Sequence, residues 1–373
     1  MIHELHQADY AKVQPLFQPL AEYLPFCAAV LQGRQSGRVF VDDVVQPRTS
    51  FMITREMWCY LAGTPHNAAF NRALKTAILS REIVGEDAGA FLIGCHPDDW
   101  HAPLATVCDP RPPIAVPRRR YVCHELKYDW RARVPDGFAV HLADETLLER
   151  PELEIPDDVK RVLDTRGPDG DPMQKGFGFV ALHQGQVVAH AVIDCIVDGV
   201  GDVGLVTAED YRRRGLATIT SAAAVEYGLS HGLALVNWDC SAGNIGSVRT
   251  AKKLGFERER DHTLYLVVFD ETGHQVNLAW NSLEAGRYQE AIDACQHIIA
   301  QQGDAPAYAY FPAACAWAAL GDRDQALQYL NAALDKGWNS LHETTSRAEL
   351  AYLHDTPQWP AVLERIQHNR QES

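Results

Sequence analysis

The segment YRRRGLAT (residues 211–218) stands directly after the apolar run DVGLVTA (202–208). A helix entered from a strand leaves its first backbone N–H groups without partners, and these groups together with the helix dipole attract anions. Gly215 removes a side chain at that point, so a bulky diphosphate can approach the backbone. Arg212, Arg213 and Arg214 add guanidinium groups whose donor forks suit phosphate oxygens. Leu216 and Ala217 can turn inward and anchor the helix, and Thr218 offers a hydroxyl near the same turn. The chemistry suggested is the seating of a pyrophosphate. The alternative is a basic surface turn, which is what isolated arginine runs usually are. Neither GxGxxG nor GxxxxGK[ST] occurs in this region.

A second constellation follows in LALVNWDCSAGNIGSVRTAKKLGFE (233–257). Asn244 can cap a helix starting near residue 245, and Ser247 lies in its first turn. Lys252 and Lys253 close that helix favourably and are also placed to approach a phosphate. Three acids flank the two segments: Asp202, Glu209 and Asp239. Each is a candidate proton acceptor, and each has the alternative of a solvated loop acid. Glu209 also suits plain helix-start electrostatics. Cys240 has no nearby base signature and reads as a small buried residue rather than a nucleophile.

The elements that position these groups are α/β in pattern. Candidate strands are RVFVDD (38–43), SFMITR (50–55) and GAFLIGC (89–95), with a helix over 67–79 capped by Asn67. The proline-rich DPRPPIAVPRRR (109–120) predicts a linker or a domain boundary, because repeated prolines interrupt regular structure. RYVCHELKYDW then reads as a strand and 156–165 as a helix with Pro156 in its first turn. Two strands surround an HQGQ turn within 176–194. Further strands follow over 202–208, 233–240 and 263–269, with helices from the arginine segment to about His231 and over 246–254. After residue 275 strand signals stop. Two helical pairs share a turn glycine, Gly286 and Gly321, 35 residues apart, close to the ~34-residue tetratricopeptide period.

The formal net charge of -15 argues against a nucleic-acid partner, although it leaves room for one small positive pocket. No apolar run reaches the ~18 residues of a membrane span, and the N-terminus shows no signal-peptide pattern. The nine cysteines include no CxxC pair, so neither a structural zinc site nor another metal centre is expected, and a cytoplasmic location fits them.

Residues 201–269 resemble the acetyl-CoA-binding core of the GCN5-related N-acetyltransferase (GNAT) superfamily. The resemblance lies in Arg212-Arg213-Arg214-Gly215-Leu216-Ala217 after an acidic-aromatic EDY. It continues in LALVNWDC, Asn244, Ser247, Gly255 and Phe256 at the superfamily's spacing. The fuller pattern is similar to a narrower branch, the acetyltransferases related to the zwittermicin A self-resistance enzyme. That likeness extends over roughly 30–270 and leaves the helical tail outside.

The resemblance implies a mixed, splayed central sheet flanked by helices. A partial α/β companion domain (1–115) would precede the catalytic domain (116–272), and a TPR-like helical array (278–373) would follow. It further implies acetyl-CoA as cosubstrate, with Leu205, Val206 and Thr207 along its pantetheine arm and with Asn244 and Ser247 near it. Asp202 stands where the superfamily often has a glutamate and is the first choice for the base, followed by Glu209 and Asp239. The superfamily's tyrosine acid is replaced by Ala251, so Ser247 would donate to the thiolate, or the thiolate would leave unaided. The expected reaction is acetyl transfer to a primary amine of a small molecule. Peptide acetylation with the helical region docking the target remains open, as does a catalytically weak CoA-binding adaptor. A homodimer or a protein partner through the helical region is also left open. The acceptor wall would come from the N-terminal third, where Trp58, Tyr60, His66 and Phe70 are as consistent with packing as with recognition.

Overall fold

The computed structural model describes residues 2–55, 57–166, 172–302 and 305–372. The chain divides into two units. One holds Met1–Glu86, Phe91–Asp109 and Ala115–Leu266; the other holds Asp87–Ala90, Pro110–Ile114 and Val267–Ser373.

The first unit is built on one sheet. Its strands are β1 (His3–Leu5), β2 (Gly37–Val41), β3 (Thr49–Thr54), β4 (Trp58–Gly63), β5 (Ala90–His96) and β6 (Ile114–Cys123), followed by β7 (Phe138–Leu142), β8 (Phe177–His183), β9 (Gln186–Val197), β10 (Val200–Thr207), β11 (Leu235–Ser241) and β12 (Glu257–Val268). They lie in the order β1-β2-β3-β4-β5-β12-β6-β11-β10-β9-β8-β7. Local chemistry explains several joints. β8 and β9 meet through Gln184 and Gly185, both at positive φ (50° and 77°), the two-residue geometry whose twist matches paired strands. Asn67 caps the helix Ala68–Leu79 by accepting from the Phe70 N–H at 3.1 Å.

The proline-rich segment holds a boundary, since residues 110–114 fall in the second unit, but the chain beyond them is not a linker. β6 runs through Pro117 and takes a place inside the sheet, between β12 and β11. Pro117 has no N–H to donate, but its carbonyl accepts from the Ala242 N–H at 2.8 Å. From Arg118 onward the strand pairs antiparallel with β11. A proline near the start of a strand thus costs the ladder only a donor. The strand expected over RYVCHELKYDW ends early, at Cys123.

Helices cover both faces. Leu216–Ser230 is apolar nearly all round, which marks a buried helix. It packs Ile219, Ala222, Ala223 and Val225 against Tyr121, Trp238 and Phe177 of the sheet. The helices Gln14–Ala21 and Pro25–Leu31 form a separate core with Tyr60, Cys195 and Val197.

The second unit is helical over Glu271–Glu284, Tyr288–Gln301, Phe311–Ala319 and Arg323–Asp335, then Leu341–Ser346 and Trp359–Glu372. The two glycines close their helices alike. Gly286 and Gly321 adopt φ of 74° and 83°, and each following residue donates back five positions, Arg287 to Ser282 at 2.8 Å and Asp322 to Trp317 at 3.0 Å. This is the left-handed glycine stop of a helix. Phe311, fully buried, stacks on Trp338 at 4.0 Å in the core of this unit.

Candidate active site

The site begins where two strands part. β10 and β11 are parallel neighbours, yet only three residue pairs meet: Val200 with Leu235, Gly201 with Val236 and Asp202 with Asn237. Beyond that point β10 stays paired with β9 as far as Thr207, after a bulge at Asp202/Val203. β11 meanwhile stays with β6 as far as Ser241. A wedge therefore opens between them, walled by the unpaired backbone edge of residues 203–207. Apart from the Thr207 carbonyl, which accepts from Arg212, the groups along this edge are open to an amide-bearing ligand arm. Leu205 and Thr207 are half-buried along this edge, and Val206 is 53% exposed. Ile245, 49% exposed, stands at the first residue of the helix Ile245–Lys253.

At the end of β10 the chain turns through Glu209–Tyr211 into the arginines. Gly215 is the N-cap of the helix Leu216–Ser230 with φ of 81°, and no side chain caps its first turn. A Cβ on Gly215 would meet nothing within 4 Å. Glycine is therefore demanded here by backbone conformation, and the space beside it is open. Arg212, Arg213 and Arg214 are exposed. Among the described residues none of them is ion-paired with a carboxylate; Arg212 reaches the Thr207 carbonyl, and Arg214 reaches the Asp210 carbonyl and lies 5.3 Å from the Tyr211 ring centre. Uncapped amides, open space and three exposed guanidinium groups together fit a pyrophosphate. Leu216 is buried among Ala181, Val188 and Ala189. Thr218 is also buried, at 5% exposure, while Ala217 is half-buried.

The other end of the wedge is polar and mostly buried. Asp202 sits at its apex, partly reachable, and Oδ1 accepts from Nδ2 of Asn237. Burial pushes its carboxyl up to about 7; Asp194 and Asp239 push the same way, and the Asn237 hydrogen bond and Arg118 oppose them. Asn237 in turn accepts from Nε of Arg120, whose Nη1 donates to Glu259. A second row lies beside it: Arg118 donates to Asp239, and His262 Nε2 lies 3.2 Å from the other Asp239 oxygen. Desolvation holds the His262 imidazole below its ordinary range, although Asp239 pulls the other way.

Tyr23 meets the His262 ring edge-on at 5.2 Å, and Arg118 lies 5.6 Å from the Trp58 ring centre. Trp58 stacks on Phe26. Of the N-terminal aromatics, Trp58 thus reaches the polar rows, Tyr60 is buried next to Asp202, and Phe70 is fully buried as core. His66 is exposed and makes none of these contacts.

The remaining candidates are placed as follows. Glu209 lies in the turn between β10 and the arginines, away from the apex. Asn244 caps its helix by accepting from the Ser247 N–H at 3.0 Å. Ser247 Oγ accepts from Trp238 Nε1 at 2.9 Å. Ala251 is fully buried, and burial raises the Cys240 thiol, the opposite of nucleophile activation. Tyr265 meets His101 at 3.3 Å instead of facing the wedge. No cluster of three His, Cys, Asp or Glu residues suited to a metal occurs among the described residues, nor is any described helix long and apolar enough to cross a membrane.

The family model described as GNAT acetyltransferase matches residues 15–265. The chain belongs to that family. Its fold implies acetyl-CoA as the acetyl donor, and the open edge of β10 with the Gly215 turn supplies a fitting seat. The chain is similar to an uncharacterized N-acetyltransferase, YdfB, of Bacillus subtilis (strain 168), at 23% identity over 71% of this chain and 98% of the relative. It is also similar to the crystal structure of a GCN5-related N-acetyltransferase-like protein from Streptococcus suis 89/1591. There the TM-score is 0.50 and the identity 22%, over 69% of this chain and 98% of the other. A GCN5-related N-acetyltransferase from Sphaerobacter thermophilus gives a TM-score of 0.48 at 13% identity, over 72% and 96% of the two chains. The family match starts earlier than the motif resemblance, at residue 15, and leaves the helical tail outside.

Two residues of this GNAT site were missed by motif reading, Asn237 and Arg120. The available signal was a period of two. In β11, Asn237 and Asp239 alternate with Val236, Trp238 and Cys240, so one face there is polar and the other apolar; in β6, Arg118 and Arg120 share a face, but Arg119 on the other face blurs the pattern.

Proposed function

We propose that this GNAT acetyltransferase moves the acetyl group of acetyl-CoA to a primary amine of a small molecule by direct attack, with Asp202 as the general base. The observation that carries the reading is the parting of β10 and β11 at the Asp202/Asn237 pair. The parting leaves a carboxyl with a pKa near neutrality, about 7, at the end of the strand edge that would hold the donor. A base is most effective when its pKa lies close to the working pH. The amine nitrogen bonds to the thioester carbonyl carbon, its proton passes to Asp202 directly or through one water, and the carbon–sulfur bond breaks to release CoA. Backbone N–H groups of residues 203–207 are the available donors for the developing oxyanion. Leu205, Val206 and Thr207 would flank the pantetheine arm, and Arg212 to Ala217 would seat the pyrophosphate. Asn244 would hold the helix beside the arm. Ser247 would serve as positioning group or thiolate donor.

A small acceptor is favoured because the helices Gln14–Ala21 and Pro25–Leu31 pack over the Asp202 face, with Phe26, Trp58 and Tyr23 beside the polar rows. The narrower likeness to the zwittermicin A self-resistance branch supports the same preference. We take residues 278–373 as a TPR-like packing or self-association element, supported by the matching glycine stops at Gly286 and Gly321.

The test is calorimetric titration with acetyl-CoA, followed by free-thiol release across small amines and lysine-bearing peptides. Saturable binding with turnover of one amine class supports the reading. Turnover of peptides alone would replace the acceptor class, and absence of binding by the folded protein would remove acetyl transfer as its activity.

A further inference from the structure

We infer that Asn237 is a positioning residue for Asp202, and that Arg120, clamped by Glu259, fixes the Asn237 amide so that its N–H₂ faces the carboxylate. The inference deepens the reading above and rests on Asp202 being the base. Its force comes from direction. A guanidinium donates and never accepts, so the group of Asn237 that meets Arg120 Nε must be the carbonyl oxygen. The N–H₂ group then has one place to point, toward Asp202 Oδ1. Asn237 is fully buried and Arg120 is 5% exposed, so neither orientation is averaged by solvent. The clamp is completed at Glu259, whose side chain is 44% exposed at the outer end of the row.

Two consequences follow for the acid. With Oδ1 occupied by an amide donor, Oδ2 is the oxygen left to take a proton. The second concerns charge. An arginine in direct contact with an aspartate typically lowers its pKa by about 1–3 units, which would make Asp202 a poor base. Asn237 stands between them and passes on orientation without passing on a full positive charge. The other groups facing Asp202 are Asp194 on β9, Asp239 on β11, Arg118 on β6 and Tyr60 on β4. The two acids raise its carboxyl and Arg118 lowers it less, so the amide is an orienting contact in a field that on balance favours the protonated acid.

The experiment is an NMR titration of the full chain carrying ¹³C-carboxyl aspartate and ¹⁵N-asparagine, run beside the pH profile of kcat. In the unmutated protein the Asn237 side-chain amide should shift with the same midpoint as the Asp202 carboxyl. Asp202→Asn should erase both signals of that titration. Asn237→Leu should raise the Asp202 midpoint and the acidic limb of kcat together, by about one pH unit for the loss of one hydrogen bond. At pH 7 kcat should then fall about fivefold, with KM for acetyl-CoA unchanged within about twofold. Arg120→Lys keeps the charge but loses the fork, and should shift the limb partway in the same direction.

An Asn237 amide that ignores the Asp202 titration would overturn the inference without any variant having to fold. So would an unmoved midpoint in folded Asn237→Leu when Asp202→Asn is inactive. Full turnover by Asp202→Asn is a different result, removing the base assignment itself and leaving Asn237 nothing to position.

Discussion

The two ends of the wedge are made in different ways. The proposed pyrophosphate seat is nine consecutive residues from Glu209 to Ala217, with the three arginines exposed and no side chain capping the helix that follows. The apex is four residues from three strands and β10, mostly buried and hydrogen-bonded end to end: Glu259, Arg120, Asn237 and Asp202. Anion binding needs uncommitted donors, and local chain geometry supplies them. Proton transfer needs a carboxyl held away from its ordinary pKa, and only dense surroundings supply that. Substitutions at the seat should therefore act on donor affinity, and substitutions at the apex on the rate and its pH dependence.

The largest effect separating the two ends is expected for Asp202→Asn. Its kcat should fall by about 10²–10⁴ while the Kd for acetyl-CoA stays near that of the wild type. Steady-state thiol release together with calorimetry would show it, and equal damage to both parameters would merge the two ends into one. Gly215→Trp should do the reverse. It forces a side chain onto a φ of 81°, a conformation that costs most other residues about 1–3 kcal/mol. The bulk also enters the open seat, so donor affinity should fall about tenfold or more, with the fold confirmed by circular dichroism.

Single changes of Arg212, Arg213 or Arg214 to Ala should be milder. Each should weaken CoA binding about three- to tenfold and reduce its dependence on salt, because exposed charges are partly screened. Salt-series calorimetry checks this, and a salt-independent loss would point to disturbed folding instead. Ser247→Ala tests whether the seat side holds an acid. The Trp238 indole N–H would lose its acceptor, at a cost of about 1–3 kcal/mol in stability. A kcat within about threefold of wild type makes Ser247 a positioning group, whereas a loss near 100-fold makes it the thiolate donor.

The smallest expected signal is thermodynamic. The unfolded Asp202 carboxyl ionises near its ordinary value of about 3.9, whereas the folded one is held at about 7. Between those values the native state binds the extra proton, so this group's contribution to stability falls as pH rises through the window and is flat above it. Asp202→Asn should accordingly gain in Tm relative to wild type on going from pH 5 to pH 8. A Tm difference independent of pH would place the folded carboxyl back in its normal range.

Much of the fold could be read along the chain because its signals are short-range. The HQGQ turn carries the positive φ angles that its strands require, Asn67 and Asn244 make the caps their spacing suggests, and Gly286 and Gly321 stop their helices. β6 was misread because three prolines in DPRPP and a fourth at Pro117 are local evidence against a strand. What keeps residues 114–123 extended is a place between two strands more than a hundred residues later in the chain.

The same division runs through the site. By itself the sequence marked out the proposed anion seat, since a strand, a turn, three arginines and a glycine at a helix start are contiguous and need only backbone geometry to act together. It also marked Asp202 as an acid beside that seat. Only the tertiary structure decided what kind of acid it is. The partners that orient and desolvate it lie far off: Asn237 is 35 residues from Asp202, Arg120 is 117 from Asn237, and Glu259 is 139 from Arg120. A pKa is set by whatever charges and dipoles surround a group in space. In this protein those neighbours arrive on β6, β9, β11 and β12, and they meet Asp202 only when the sheet closes around it.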